Sequence, residues 1–174
     1  MIGIMANDKA NPALQAEELI AWNDHSAQQW RAFANANPGV LSVPCDIYRA
    51  KTVGELLQHI VAAELRYAER LLEKTPTDYA AIPFGTAEEI FRSHDQAMDL
   101  YRKLLARDDF DWSVKLEFPT LTAGTMRAPR RTIFFHAMLH AIRHYAQLST
   151  LTRQAGFPTG FGGDYLWMDM ERVQ

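Results

Sequence analysis

The chain of 174 residues has a single cysteine, Cys45, so no disulfide can form within it. That scarcity fits a reducing compartment, and a cytoplasmic location is expected. Thiol chemistry would then draw on a thiol brought by a substrate rather than on Cys45. No apolar run approaches the roughly 20 residues of a membrane span, so no membrane partner is expected. The opening MIGIMANDKA lacks a basic stretch and a sustained apolar core, so no signal peptide is expected either. A long basic run is missing and the formal net charge is −3, which argues against nucleic acid as the main partner. Low-complexity segments and short-period repeats are also absent.

What is present is the composition of an ordinary globule. The hydrophobic share of 48% and the charged share of 22%, at this length, suit one domain over residues 1–174 with a proper core. The pattern of apolar residues predicts four helices. Asn11-Pro12 reads as N-cap and first turn of a helix running to about Asn35, with Leu14, Leu19, Trp22, Trp30 and Phe33 as buried parts. Asn37-Pro38-Gly39 ends it, and residues 40–51 form a connector. Thr52 to Glu55 is a capping box that opens a second helix, stopped near Lys74 by Thr75-Pro76. A second capping box, Thr86 to Glu89, opens a third helix that runs to about Arg107. Residues 112–118 alternate with a period near two, so an extended crossover or weak hairpin is expected over one end of the bundle. Pro129 starts a fourth helix, and Gly156 and Pro158 stop it. The Gly-rich aromatic tail that follows is expected to pack outside the bundle, and its mixed aromatic surface suggests a homodimer. Asp164 within the tail could be a site residue, but reads rather as a helix cap or a solvent-exposed residue.

The fourth helix carries His136, His140 and His144 at steps of four, with Gln147 three further on. At about 100° per residue, these four positions fall within roughly 80° of one another. They form one strip, and Phe135, Leu139 and Ile142 form a second apolar side. Two histidines at i and i+4 can reach one metal ion. All three cannot, because His136 and His144 stand about 12 Å apart along the axis. On the second helix Glu64 falls in the apolar stripe, where an ionised carboxylate needs a partner. His59 lies on that stripe's flank. His94 faces inward on the third helix between Ile90 and Met98. His59 and His94 are therefore rival third ligands on spacing alone. His25, among Asn23, Asp24 and Ser26, reads as a surface residue.

The second helix, TVGELLQHIVAAELRYAERLL, and the fourth, HAMLHAIRHYAQLSTLTRQAGFP, together resemble the DinB/YfiT-like family of damage-inducible and metal-dependent proteins. The resemblance spans about residues 14–158. It implies an all-α four-helix bundle in an up-down-down-up arrangement. It also implies a divalent metal held by His59, from the Leu-x-His pattern, and by His140 and His144, from the His-x-x-x-His-x-x-Gln pattern ending at Gln147. His136 matches a histidine often seen one turn before the ligand pair. Tyr145-Ala146 stands where the family usually has Arg-Gly, a departure from the pattern.

Three neutral imidazoles leave a coordination position open, the pattern of a catalytic metal site. Imidazole donors suit zinc, nickel and iron alike. Glu64 is the carboxylate candidate for a base or for orienting a ligand, and Gln147 could hydrogen-bond a ligand or bound water. The expected function is metal-assisted hydrolysis, or a transfer that uses a low-molecular-weight thiol, on a small-molecule substrate. The alternative is a non-catalytic metal-binding or stress-response bundle.

Overall fold

The computed structural model describes residues 13–120, 124–171 and 173. Four helices dominate: α1 Ala16–Ala36, α2 Val53–Leu71, α3 Ala87–Leu105 and α4 Arg130–Gln154. The chain is mostly helical but not helical throughout. The stretch between α3 and α4 is a true antiparallel hairpin, β1 Lys115–Pro119 and β2 Thr125–Pro129, with Lys115 paired to Pro129 and Pro119 to Thr125.

The caps explain where the helices begin. Thr52 Oγ1 accepts the Glu55 N–H at 3.2 Å, and Thr86 Oγ1 accepts the Glu89 N–H at 3.2 Å. Each such cap contributes about 1 kcal/mol. α1 starts later than Asn11-Pro12 suggests. That pair lies outside the described residues, and residues 13–15 are not helical. Gln15 and Glu18 form the cap instead, with the Glu18 carboxylate accepting the Gln15 N–H at 2.6 Å. Leu14 is consequently exposed rather than buried. α2 stops at Leu71, short of Lys74, because Glu73 turns into the left-handed region at φ +57°. α4 ends at Gln154, just before Gly156, whose φ of +87° lets the Phe157 N–H reach back to the Thr152 carbonyl at 2.8 Å.

Two apolar clusters fix the helix directions. In one, Trp30 and Ala34 from late α1 meet Leu56 and Ile60 from early α2, Ile90 from early α3, and Leu148 from late α4. In the other, Leu19 from early α1 meets Leu71 and Leu104 from late α2 and α3, and Phe134 from early α4. α2 and α3 therefore run together, and α1 and α4 run against them: up-down-down-up. The tail lies on α1, where Phe161 packs against Trp30 and Phe33, and the Trp22 indole N–H donates to the Gly163 carbonyl.

The core face of α4 differs from the expected one. Phe134, Ala137, Met138, Ala141, Tyr145 and Leu148 are buried, whereas Leu139 is 51% exposed and Phe135 and Ile142 are half-buried. With His136 at zero, the buried set spans roughly 100° to 200°, and Leu139 falls near 300°, on the far side. The histidine strip advances about 40° per step toward that core. His136 is accordingly exposed, while His140 and His144 are buried.

Candidate metal centre

The opposed directions of α2 and α4 bring the beginning of one beside the end of the other. His59, from α2, is thereby set against His140 and His144, from α4. The Nε2 atoms of His59 and His140 lie 3.1 Å apart, and those of His140 and His144 lie 3.2 Å apart. One ring nitrogen from each of the three falls within 4.8 Å of the other two.

The donor set suits a divalent ion. Two nitrogens bound to one tetrahedral ion at the usual bond lengths stand about 3.3 Å apart, close to both distances seen. Hydrogen bonds alone do not account for the arrangement. His144 Nδ1 donates to the Gln147 amide oxygen at 2.7 Å, which leaves His144 Nε2 as a bare lone pair. Arg143 Nη2 also points at that lone pair, at 3.1 Å. His140 Nε2 can carry at most one proton, to be shared between two neighbouring nitrogens. A cation among the three uses every lone pair at once. The rings are also neutral near pH 7, as ligands must be. Burial, and then the charges of His144 and Arg143, lowers His59 to about 4. Burial, reinforced by His144 and His59, lowers His140 to about 2. Burial lowers His144 as well, against the opposing hydrogen bond from Gln147.

The surroundings hold the rings unequally. Gln147 fixes His144 from behind. Tyr48 stacks on His59, with ring centroids 4.6 Å apart. His140 Nδ1 is buried and has no hydrogen-bond partner among the described residues. His136 stands beside the group, its ring centroid 5.5 Å from that of His140 and 5.3 Å from that of Tyr67. It is not one of the three converging residues.

The rival histidine has other partners. His94 is fully buried; its Nδ1 lies 2.8 Å from Glu64 Oε2 and its Nε2 lies 3.0 Å from Asp24 Oδ1. Both ring nitrogens are thus engaged away from the triad. The same contact accounts for Glu64, whose buried carboxylate turns to α3 rather than to the histidines. Five residues separate His59 from Glu64, which is roughly 140° around a helix. His25 is exposed, and Asp164 is exposed at the start of a short 3-10 turn, Tyr165–Met168. Cys45 is buried in the connector, and burial raises its thiol above the ordinary value. It stays protonated and unreactive there.

A cleft of about 320 Å³ opens over the histidines, with His59, His140 and His136 on its wall. The remaining wall includes Tyr48, Tyr67, Tyr79, Arg66, Arg70 and Arg143, closed at one end by Pro119 and Thr120 of the hairpin. The aromatic and arginine part of this wall is not among the residues singled out from sequence. Arg66 and Arg70 could have been found: they follow His59 by seven and eleven residues, within roughly 20° of it around α2. Tyr48 sits in the aperiodic connector and gives no such signal.

Two comparisons with known proteins bear on this site. The sequence model of the DinB family matches residues 7–171, nearly the whole chain. No curated protein matches the chain.

Proposed function

The chain belongs to the DinB family, and from that premise we propose that it is a divalent-metal-dependent enzyme acting on a small molecule in the cleft between α2 and α4. The observation that carries the proposal is the convergence of three neutral imidazoles from two helices, two of them, His59 and His140, on the wall of a cleft open to solvent. A closed structural site would use four protein ligands, and this one offers three. Zinc, nickel and iron all suit the donors. Held there, a divalent ion would supply Lewis acidity, polarising a carbonyl or easing the loss of a proton from a thiol or water.

The chain's own residues divide the remaining work. Gln147 holds His144 in the tautomer that presents Nε2. Tyr48 orients His59 and covers it from solvent. His136 stands on the wall beside His140, where partial desolvation and then Arg143 disfavour its charged form, and its neutral ring can accept a proton. No carboxylate lines the cleft among the described residues, and Glu64 is engaged by His94. This favours a low-molecular-weight thiol as nucleophile over water. A thiol ionises near pH 8.5 even away from the ion, whereas water becomes acidic enough only when bound to it, so a thiol asks less of the site. Transfer with such a thiol is therefore the leading reaction class. Metal-assisted hydrolysis, with His136 as the base, is the second.

The test is elemental analysis of protein purified without chelator, followed by thiol titration of the cobalt-substituted protein. The expected result is about one ion per chain, lost in His140→Ala and retained in His25→Ala, with a change in the cobalt spectrum on adding a cellular thiol. Full metal content in His140→Ala would overturn the ligand assignment. An unchanged cobalt spectrum with every common cellular thiol would turn the reading to hydrolysis or to a non-catalytic metal-binding bundle.

A further inference from the structure

The cleft wall is unusually one-sided in charge. His59, Ala63, Arg66 and Arg70 succeed one another along a single face of α2, and Arg143 continues the strip of His136 and His140 on α4. All three arginines line the cleft. Elsewhere on the described chain Arg31, Arg102, Arg107, Arg127 and Arg130 each pair with a carboxylate, and Arg49, Arg92, Arg131 and Arg153, which have no such pair, lie outside this cleft. Arg66, Arg70 and Arg143 have none within ion-pairing distance among the described residues. Three guanidinium groups facing one small cavity without a counter-charge repel one another. Burial, and then the charge of Arg66, indeed disfavours the charged form of Arg70.

The guanidinium groups are also held in place. Arg66 lies over the Tyr79 ring at 6.0 Å, and Arg70 lies over Tyr67 at 5.2 Å and over Phe118 at 5.4 Å. Stacking on a ring uses the face of a guanidinium and leaves its N–H edge available for a bidentate partner. A fork of N–H donors matches a carboxylate or a phosphate. The cavity, about 320 Å³, suits a small metabolite rather than a polymer.

We propose that the substrate of this site is a small anion, bearing a carboxylate or phosphate group that Arg66 and Arg70 grip at the hairpin end of the cleft, while its reactive part lies against the histidines. This rests on the reading of the triad as the reacting centre and adds the substrate class to it. Arg143, next to His144, meets negative charge at the histidine end. Neutral analogues of the same shape are rejected, because they leave the arginines desolvated and unpaired.

Calorimetric titration of the full-length protein with succinate, with inorganic phosphate and with neutral succinamide tests this, alongside metal analysis. The expected result is binding of at least one of the two anions and none of succinamide. The bound anion should weaken about tenfold or more in Arg66→Gln/Arg70→Gln, a loss typical of broken charge-assisted contacts. Metal content in that variant should equal that of the parent. Whichever of succinate and phosphate binds more tightly identifies the anionic group. Gln keeps much of the arginine stem, and circular dichroism verifies that the variant is folded. Equal affinity in the parent and the folded variant overturns the inference, as does failure of both anions to bind, and in either case a normal metal content leaves the triad reading standing. Conversely, anion binding that depends on Arg66 and Arg70 in a protein without metal would uphold the anion site and sink the metal-dependent function.

Discussion

The Tyr48 ring lies over the His59 imidazole, with centroids 4.6 Å apart and planes 25° from parallel. Tyr48 achieves this from a left-handed backbone at φ +60°, and its side chain is 48% exposed. A bulky residue in that region is disfavoured by roughly 1–2 kcal/mol, and strain of this kind concentrates at functional sites. Tyr48→Gly should relieve the backbone while removing the cover over His59. Thermal stability should hold or rise slightly, and metal affinity should fall by about tenfold. Competition against a chromogenic chelator measures the second quantity. An unchanged affinity would show that the stacked ring does not orient the ligand.

Gln147 supports the site from the other side. Its amide oxygen is 2.7 Å from His144 Nδ1, yet the residue is exposed and contributes little to the core. Gln147→Leu should therefore leave the unfolding midpoint nearly unchanged. It should lower metal affinity about tenfold to a hundredfold, the usual effect of removing such a support. Gln147→Glu, which keeps an acceptor at the same reach, should restore most of that affinity. If both variants bind metal as tightly as the parent, the hydrogen bond has no role in ligation.

These supports differ in how visible they are in the sequence. The strip of His136, His140 and His144 is legible because a four-residue step can be read on one helix, without knowing its neighbours. The core direction of α4 is not. Leu139 and Ile142 look as apolar as Met138, and only the packing partners decide which side is covered. His59 was ambiguous for the same reason: it sits at an edge of α2, and its partners lie 81 and 85 residues away in α4. The family resemblance, not periodicity, separates it from His94. Glu64 is legible as a buried carboxylate in need of a partner, but which way it faces is not, and it turns to His94 on α3.

Glu64 and His94 yield a prediction of the opposite kind. Both side chains are fully buried, and their contact joins α2 to α3. His94→Ala leaves a buried carboxylate without its partner, which should cost about 3 kcal/mol or more. Denaturant unfolding reads that loss. Metal content per folded chain should stay at the parental level, because neither group touches the triad. Loss of metal from folded His94→Ala protein would instead tie this pair to the site.

Acid provides the last test. Burial and neighbouring charge hold His59 at about 4 and His140 at about 2. At pH 6 both rings are unprotonated in the folded chain, whereas two ordinary imidazoles would carry about 1.5 protons between them. An incoming divalent ion displaces only protons that are present. Loading at pH 6 should therefore show a buffer dependence of the calorimetric enthalpy equivalent to less than one proton. A buffer-dependent difference equivalent to more than one proton would mean that the rings are solvated and unperturbed. The same shifts govern the stability of the metal-free protein. Below about 6.5 the unfolded rings gain protons, while the folded ones stay neutral until about 4 and about 2. The unfolded state then binds more protons, so stability falls as pH falls through this window. With a chelator present, His140→Ala should lose less of its melting temperature between pH 6.5 and 4.5 than the parent does, because one ring that must be kept neutral is gone. Parallel losses in the two proteins would show that His140 is not held neutral by the fold.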